Sequence, residues 1–125
     1  MRAWKQRLHA LLASTDELEA DDEVVEAALH GTQPVSAVRP RGRYTVSGVV
    51  RSITFPPSDH RPELVVELYD GSASLDLRWL GRREIPGIEP GRRLIASGRV
   101  TTGDGSHRLV MYNPSYTLLQ RRAAP

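Results

Sequence analysis

The sequence predicts a mainly β fold: a five-stranded barrel preceded by two short N-terminal α-helices. Three observations carry this. Leu64 to Leu80 reads as two alternating apolar runs around Asp70-Gly71. Two further alternating runs each carry a glycine in mid-run, Gly48 and Gly98, where a small barrel needs its strands to bend. The segments between the runs are punctuated by proline and glycine rather than by helical periodicity.

In the first run, Leu64, Val66 and Leu68 share one parity; in the second, Leu75, Leu77 and Trp79 do. Period-two alternation places each set on one face of a strand. Asp-Gly accepts the positive φ angles of a tight hairpin, so Glu63–Tyr69 and Ser74–Leu80 are expected to be paired strands.

Before them, Met1 to Ala13 has Trp4, Leu8, Leu11 and Leu12 on one helical face. Ser14 and Glu17 fit a capping box for a second helix, ended near Leu29 by Gly31. Its acids, from Asp16 to Glu26, lack the glycine and ligand spacing of a calcium loop and read as a solvated face. His30 to Arg43 is a connector from which Val35 and Val38 are expected to tuck against the barrel. The domain boundary falls between 1–33 and 34–125.

A long first strand, about Arg43 to Phe55, turns Tyr44, Val46, Gly48 and Val50 inward, with a bend or bulge at Gly48. After the central hairpin, residues 81–91 leave room for one turn and no helix, with Ile85 and Ile88 spaced to plug the barrel and Pro90-Gly91 fitting a type II turn. A fourth strand, about Arg92 to Thr101, turns Leu94, Ala96, Gly98 and Val100 inward. Gly103-Asp104-Gly105 makes a loop, a fifth strand runs from Arg108 to about Tyr112, and Asn113-Pro114 interrupts it before an extended tail.

This order of strands is that of the OB-fold, a five-stranded Greek-key barrel. Val46-Ser47-Gly48-Val49-Val50, Leu68-Tyr69-Asp70-Gly71-Ser72, Trp79-Leu80-Gly81-Arg82-Arg83, Pro90-Gly91, Leu94 to Val100 and Tyr112-Asn113-Pro114 carry the resemblance. Over about Val35 to Leu119 the chain resembles small bacterial OB-fold nucleic-acid-binding domain proteins. More distantly it is similar to the wedge domain of the RecG helicase and to the anticodon-binding domains of class II aminoacyl-tRNA synthetases. The resemblance implies binding of an oligonucleotide across strands 2 and 3 and the loops joining strands 1–2 and 4–5.

Composition is compatible with that. Residues 1–38 hold three Lys/Arg and seven Asp/Glu, net −4; residues 39–125 hold fourteen Arg and eight Asp/Glu, net +6. A basic body fits a polyanionic partner, although GC-rich coding also yields arginine. There is no cysteine, so no disulfide, thiolate nucleophile or cysteine metal site exists. The apolar runs are too short for a membrane span or signal peptide, and a soluble cytoplasmic protein is expected. His9, His30, His60 and His107 show no metal spacing, and no nucleophile elbow, P-loop or dinucleotide fingerprint is present. A non-enzymatic module without cofactor or metal is therefore expected.

The candidate nucleic-acid-binding residues are Arg51, His60, Arg61, Tyr69, Arg78, Arg82, Arg83, Arg99, Arg108 and Tyr112. Tyr69 and Arg78 take outward parity on strands 2 and 3, Arg51 and Arg99 on strands 1 and 4, and Tyr112 on strand 5. His60, Arg61 and Arg108 belong to the loops. Gly81-Arg82-Arg83 opens a turn whose N–H groups are expected to be free for phosphate, or is simply a turn glycine with two exposed arginines. Arg78 either meets a phosphate or base, or pairs with Glu67 across the hairpin. Trp79 takes core parity, with stacking at the barrel mouth as the alternative. Outward Glu67 and Asp76 dilute the charge of this face. The expected partner is single-stranded DNA or RNA, or branched nucleic acid. The rival expectation is a protein-interaction module using the barrel face or the N-terminal helices.

Overall fold

The computed structural model describes residues 31–57, 61–103 and 108–120. The two helices expected at the N-terminus, His60 and the tip of the loop before Arg108 fall outside the described residues. Six strands follow in order: β1 (Arg43–Thr54), β2 (Glu63–Tyr69), β3 (Ser74–Leu80), β4 (Arg93–Thr102), β5 (Leu109–Tyr112) and β6 (Ser115–Leu118). They form one mixed sheet that returns on itself. β1 pairs with β2, β2 with β3, β3 with β5, β5 with β4, and β4 with β1, giving a closed ring of five strands. Every pairing is antiparallel except β3 with β5, where Leu77 lies opposite Met111.

The alternation explains the ring's interior. Val46, Val50, Leu64, Val66, Leu68, Leu75, Leu77, Leu94, Ala96, Val100 and Met111 all point inward and are buried. Trp79 joins them at 5% exposure, so core parity prevails over stacking. Val35, in a short 3-10 turn (Val35–Ala37), and Val38 are buried in the same cluster. The segment from Gly81 to Arg92 spans β3 to β4 without a helix and contributes Ile85 and Ile88 to the core.

That segment is built from two tight turns. Ile88 N–H donates to Ile85 O at 3.1 Å and Arg92 N–H to Glu89 O at 3.1 Å. Pro86 and Pro90 occupy the second position of each turn. Gly87 (φ 86°) and Gly91 (φ 89°) occupy the third, as type II geometry requires.

Two irregularities shape the ring. The register of β1 against β2 slips between Val50 and Ser52, so Arg51 is the extra residue of a β-bulge. The bulge expected at Gly48 is thus three residues further on. Gly48 has a different role: β1 passes so close to β2 that a Cβ there would lie 2.5 Å from the Tyr69 carbonyl oxygen. Gly48→Ala should therefore destabilise the fold by about 2 kcal/mol, read as a lowered midpoint in urea.

The second irregularity is at Asn113-Pro114. β5 and β6 lie successively along one edge of β4, and their registers differ by one residue. Asn113 takes φ 49° and locks this step to β3. Its N–H donates to Arg78 O at 2.6 Å, and its Oδ1 accepts from Leu80 N–H at 2.9 Å.

Candidate nucleic-acid interface

The outer surface of β1, β2, β3 and β5 is organised in rows set by strand register. One row runs Thr54, Val65, Arg78, Tyr112; the next runs Ser52, Glu67, Asp76; a third joins Tyr69 to Ser74. The β1 bulge sends Arg51 outward beside the third row, and its guanidinium carbon sits 3.7 Å from the Tyr69 ring centroid. A cation over the negative face of an aromatic ring is attracted by the ring quadrupole. Arg51 thus covers one face of Tyr69. Tyr112 is exposed at the end of the first row, with the Glu67–Asp76 row between it and Tyr69.

The arginines of this surface are not all free. Arg78 Nη1 lies 3.2 Å from Glu63 Oε1. The partner is Glu63 and not the expected Glu67. Val65 is directly opposite Arg78, which leaves Glu63 and Glu67 as its two diagonal neighbours. Glu67 is engaged elsewhere: its carboxylate accepts from Ser74 Oγ at 2.8 Å and lies 3.9 Å from Arg108 Nη2.

Glu67 and Asp76 face each other directly across β2 and β3, a like-charge placement that costs stability unless neutralised. Arg108 supplies the neutralisation, with Nη2 at 2.8 Å from Asp76 Oδ1. The face therefore carries Arg51, Arg78 and Arg108 against Glu63, Glu67 and Asp76, and no continuous positive strip runs over β2 and β3.

The loop residues lie at one end of this face. Arg61 and Arg83 line a cleft with Phe55, Pro56, Pro57, Pro62, Glu63 and Glu84. Arg82 is exposed beside it. Gly81 does not offer a free N–H for phosphate, since it donates to Pro62 O at 2.8 Å. Arg99 is brought to a different place. Its register partner is Arg43, on the seam between β1 and β4, across the ring from β3.

Two residues of importance escape the sequence reading. Phe55, taken there as the end of a strand, is 59% exposed at the rim of the cleft. An aromatic followed by Pro56-Pro57, where alternation stops, is the signal that marks it. Asp70, read as a turn residue, is a buried structural centre. Among the described residues no group of three or more His, Cys, Asp or Glu side chains is placed to hold a metal ion. No described helix is long and apolar enough to cross a membrane.

No family model and no curated protein matches the sequence. Solved structures do match the fold. RecG bound to a three-way DNA junction aligns at TM-score 0.60 and 17% identity, over 68% of this chain and 12% of that one. An OBody, AM1L10, bound to hen egg-white lysozyme aligns at TM-score 0.52 and 17% identity, over 72% of this chain and 94% of that one. At these identities the likeness is one of fold. This chain corresponds to a small part of the RecG chain.

Proposed function

We propose that the five-stranded ring is an OB-fold barrel and that its β1–β2–β3–β5 face binds single-stranded or branched nucleic acid without catalysing a reaction. The observation that carries this is the juxtaposition of Arg51 on Tyr69 and of Arg78 beside Tyr112 on one continuous outward sheet face, flanked by exposed Phe55. Flat rings accept bases of any sequence, and guanidinium groups meet phosphates or lie over bases. The likeness of the ring to part of RecG in complex with a three-way DNA junction supports the same reading. The OBody's complex with hen egg-white lysozyme is a likeness of the same kind for the protein-interaction alternative, but the pairing of arginines with aromatic rings on this face favours nucleic acid.

The balanced charge of the face has consequences. Binding is weak and sequence-tolerant, and the Glu63–Arg78 pair opens or shifts to admit phosphate. Arg78→Glu should lower affinity for a labelled single strand by about tenfold, the scale of a lost charged contact. The Arg78–Glu63 pair is partly buried but still reaches solvent, with 29% and 20% of the two side chains exposed. Ion pairs at the surface contribute about 0–1 kcal/mol, so the same change should lower the unfolding midpoint only slightly. Anisotropy titration and thermal melting of one purified variant test both. Unchanged affinity with lowered stability would leave the Arg78–Glu63 pair structural and remove the face from the nucleic-acid reading.

A further inference from the structure

We propose that the seam between β1 and β4 is a second phosphate-binding surface, built by Arg41, Arg43 and Arg99, that grips the backbone of another arm of the same nucleic acid. The inference rests on the nucleic-acid reading above but concerns residues on the other side of the ring from β3.

The first observation is charge placement. Arg43 and Arg99 are register partners on β1 and β4, so their side chains leave the sheet on the same face, side by side. Both are exposed. The next outward pair, Thr45 and Ser97, shows the shared face directly, with its hydroxyl oxygens 2.8 Å apart. Two like charges directly opposite on adjacent strands are unfavourable. On the β2–β3 face the corresponding clash of Glu67 and Asp76 is relieved by Arg108. No acidic side chain among the described residues pairs with Arg41, Arg43 or Arg99.

The second observation is backbone conformation. Arg39-Pro40-Arg41-Gly42 forms a tight turn, with Gly42 N–H donating to Arg39 O at 3.4 Å. It has the plan of the turns at Pro86-Gly87 and Pro90-Gly91. Those place glycine at the third position, with φ of 86° and 89°. Here the third position is Arg41, held at φ 76°. A side chain with a Cβ is disfavoured in this region. Strain of this kind persists where the surroundings enforce it and concentrates at functional sites. Arg41 is enforced by its own N–H, which donates to Val100 O at 2.7 Å, next to Arg99. Arg39 is not part of the cluster, because its guanidinium turns back onto Ser36 O and Val38 O.

Arg43 and Arg99 stand side by side, and Arg41 follows in the adjoining turn. None of the three has an acidic partner among the described residues, and Arg41 sits in a conformation that glycine would occupy more easily. A run of phosphates spaced along a backbone is the ligand that matches them in charge and spread. A short single strand lying on the β2–β3 face does not reach this seam. A duplex or branched molecule that wraps the ring does.

The test uses the full chain, a labelled three-way DNA junction and a short labelled oligothymidine. Arg43→Ala with Arg99→Ala should weaken junction binding about tenfold and leave oligothymidine binding within about twofold. The log–log salt dependence for the junction should flatten by roughly 2, near 0.9 per lost phosphate contact. The double variant should melt no lower than the parent protein, since a repulsion is removed. Arg41→Asn, which tolerates positive φ, should hold or raise the melting temperature while weakening junction binding. Junction affinity and salt slope equal to those of the parent protein, with Arg78→Glu still weakening both ligands, would overturn the second surface and leave the first standing. A fall in melting temperature in both seam variants would also overturn it, by showing that the arginines hold a segment of the chain. If the parent protein binds neither ligand, the nucleic-acid reading itself falls, and the second surface with it.

Discussion

Trp79→Ala should lower the free energy of unfolding by about 4 kcal/mol, the range for emptying a buried aromatic site. Trp79 faces inward from β3 opposite Leu64 and is packed edge-on against Tyr116 of β6, with ring centroids 5.7 Å apart and planes at 84°. Its Nε1–H donates to Pro114 O at 3.3 Å. The residues on either side of it, Arg78 and Leu80, bond through their backbone to Asn113. Trp79 thus fills the core at the place where the β5–β6 step is tied to β3. Trp79→Phe keeps most of the buried area but leaves the Pro114 carbonyl without its donor, and should cost about 1–2 kcal/mol. Urea unfolding of the two variants separates the terms. Equal losses would show that packing contributes little beyond the hydrogen bond.

Asp70→Ala should cost about 3 kcal/mol, although Asp70 lies in a hairpin loop, where most substitutions are nearly neutral. Its carboxylate is almost wholly buried and accepts four hydrogen bonds. Oδ1 takes Ser72 N–H at 2.9 Å, Ser72 Oγ–H at 2.6 Å and Ala73 N–H at 3.2 Å. Oδ2 takes Val35 N–H at 2.8 Å. One side chain therefore shapes the β2–β3 loop and fastens the segment before β1 to it. No cation pairs with Asp70 among the described residues, so donor dipoles alone compensate the buried charge. Hydrogen bonds to a charged group contribute about 1.5–3 kcal/mol, and a buried donor left unpaired costs about 1–3 kcal/mol. The conservative change is no rescue. Asn presents one NH2 group, and either orientation sets a donor against a donor, so Asp70→Asn should still cost about 2 kcal/mol. An Asp70→Asn protein as stable as the parent would mean that the carboxylate charge is unnecessary and that the loop relaxes around an amide.

These two residues show what could be read from the chain. Trp79 was legible as core because it continues the parity of Leu75 and Leu77, and a period-two pattern with one buried face admits a single assignment. The same pattern gives β2 and β3 the bounds expected of them, Glu63–Tyr69 and Ser74–Leu80. Asp70 was legible only as a turn former. Its reach to Val35, thirty-five residues earlier, depends on where the connector packs. The outward parity of Arg51, Arg78 and Tyr112 was also visible, because parity is local.

What the amino-acid order determined by itself is everything that repeats over two to four residues: which residues alternate inward, where Pro and Gly force turns, and which side chains face out. The tertiary structure alone decided what depends on pairing between distant segments. It moved the bulge to Arg51, since a register slip leaves no mark on one strand read alone. It gave Arg78 to Glu63, since two diagonal neighbours look alike until one is occupied. It also separated Arg99 from the β2–β3 face, because the order of strands around the ring is set by which edges close together, and closure is a property of the whole sheet.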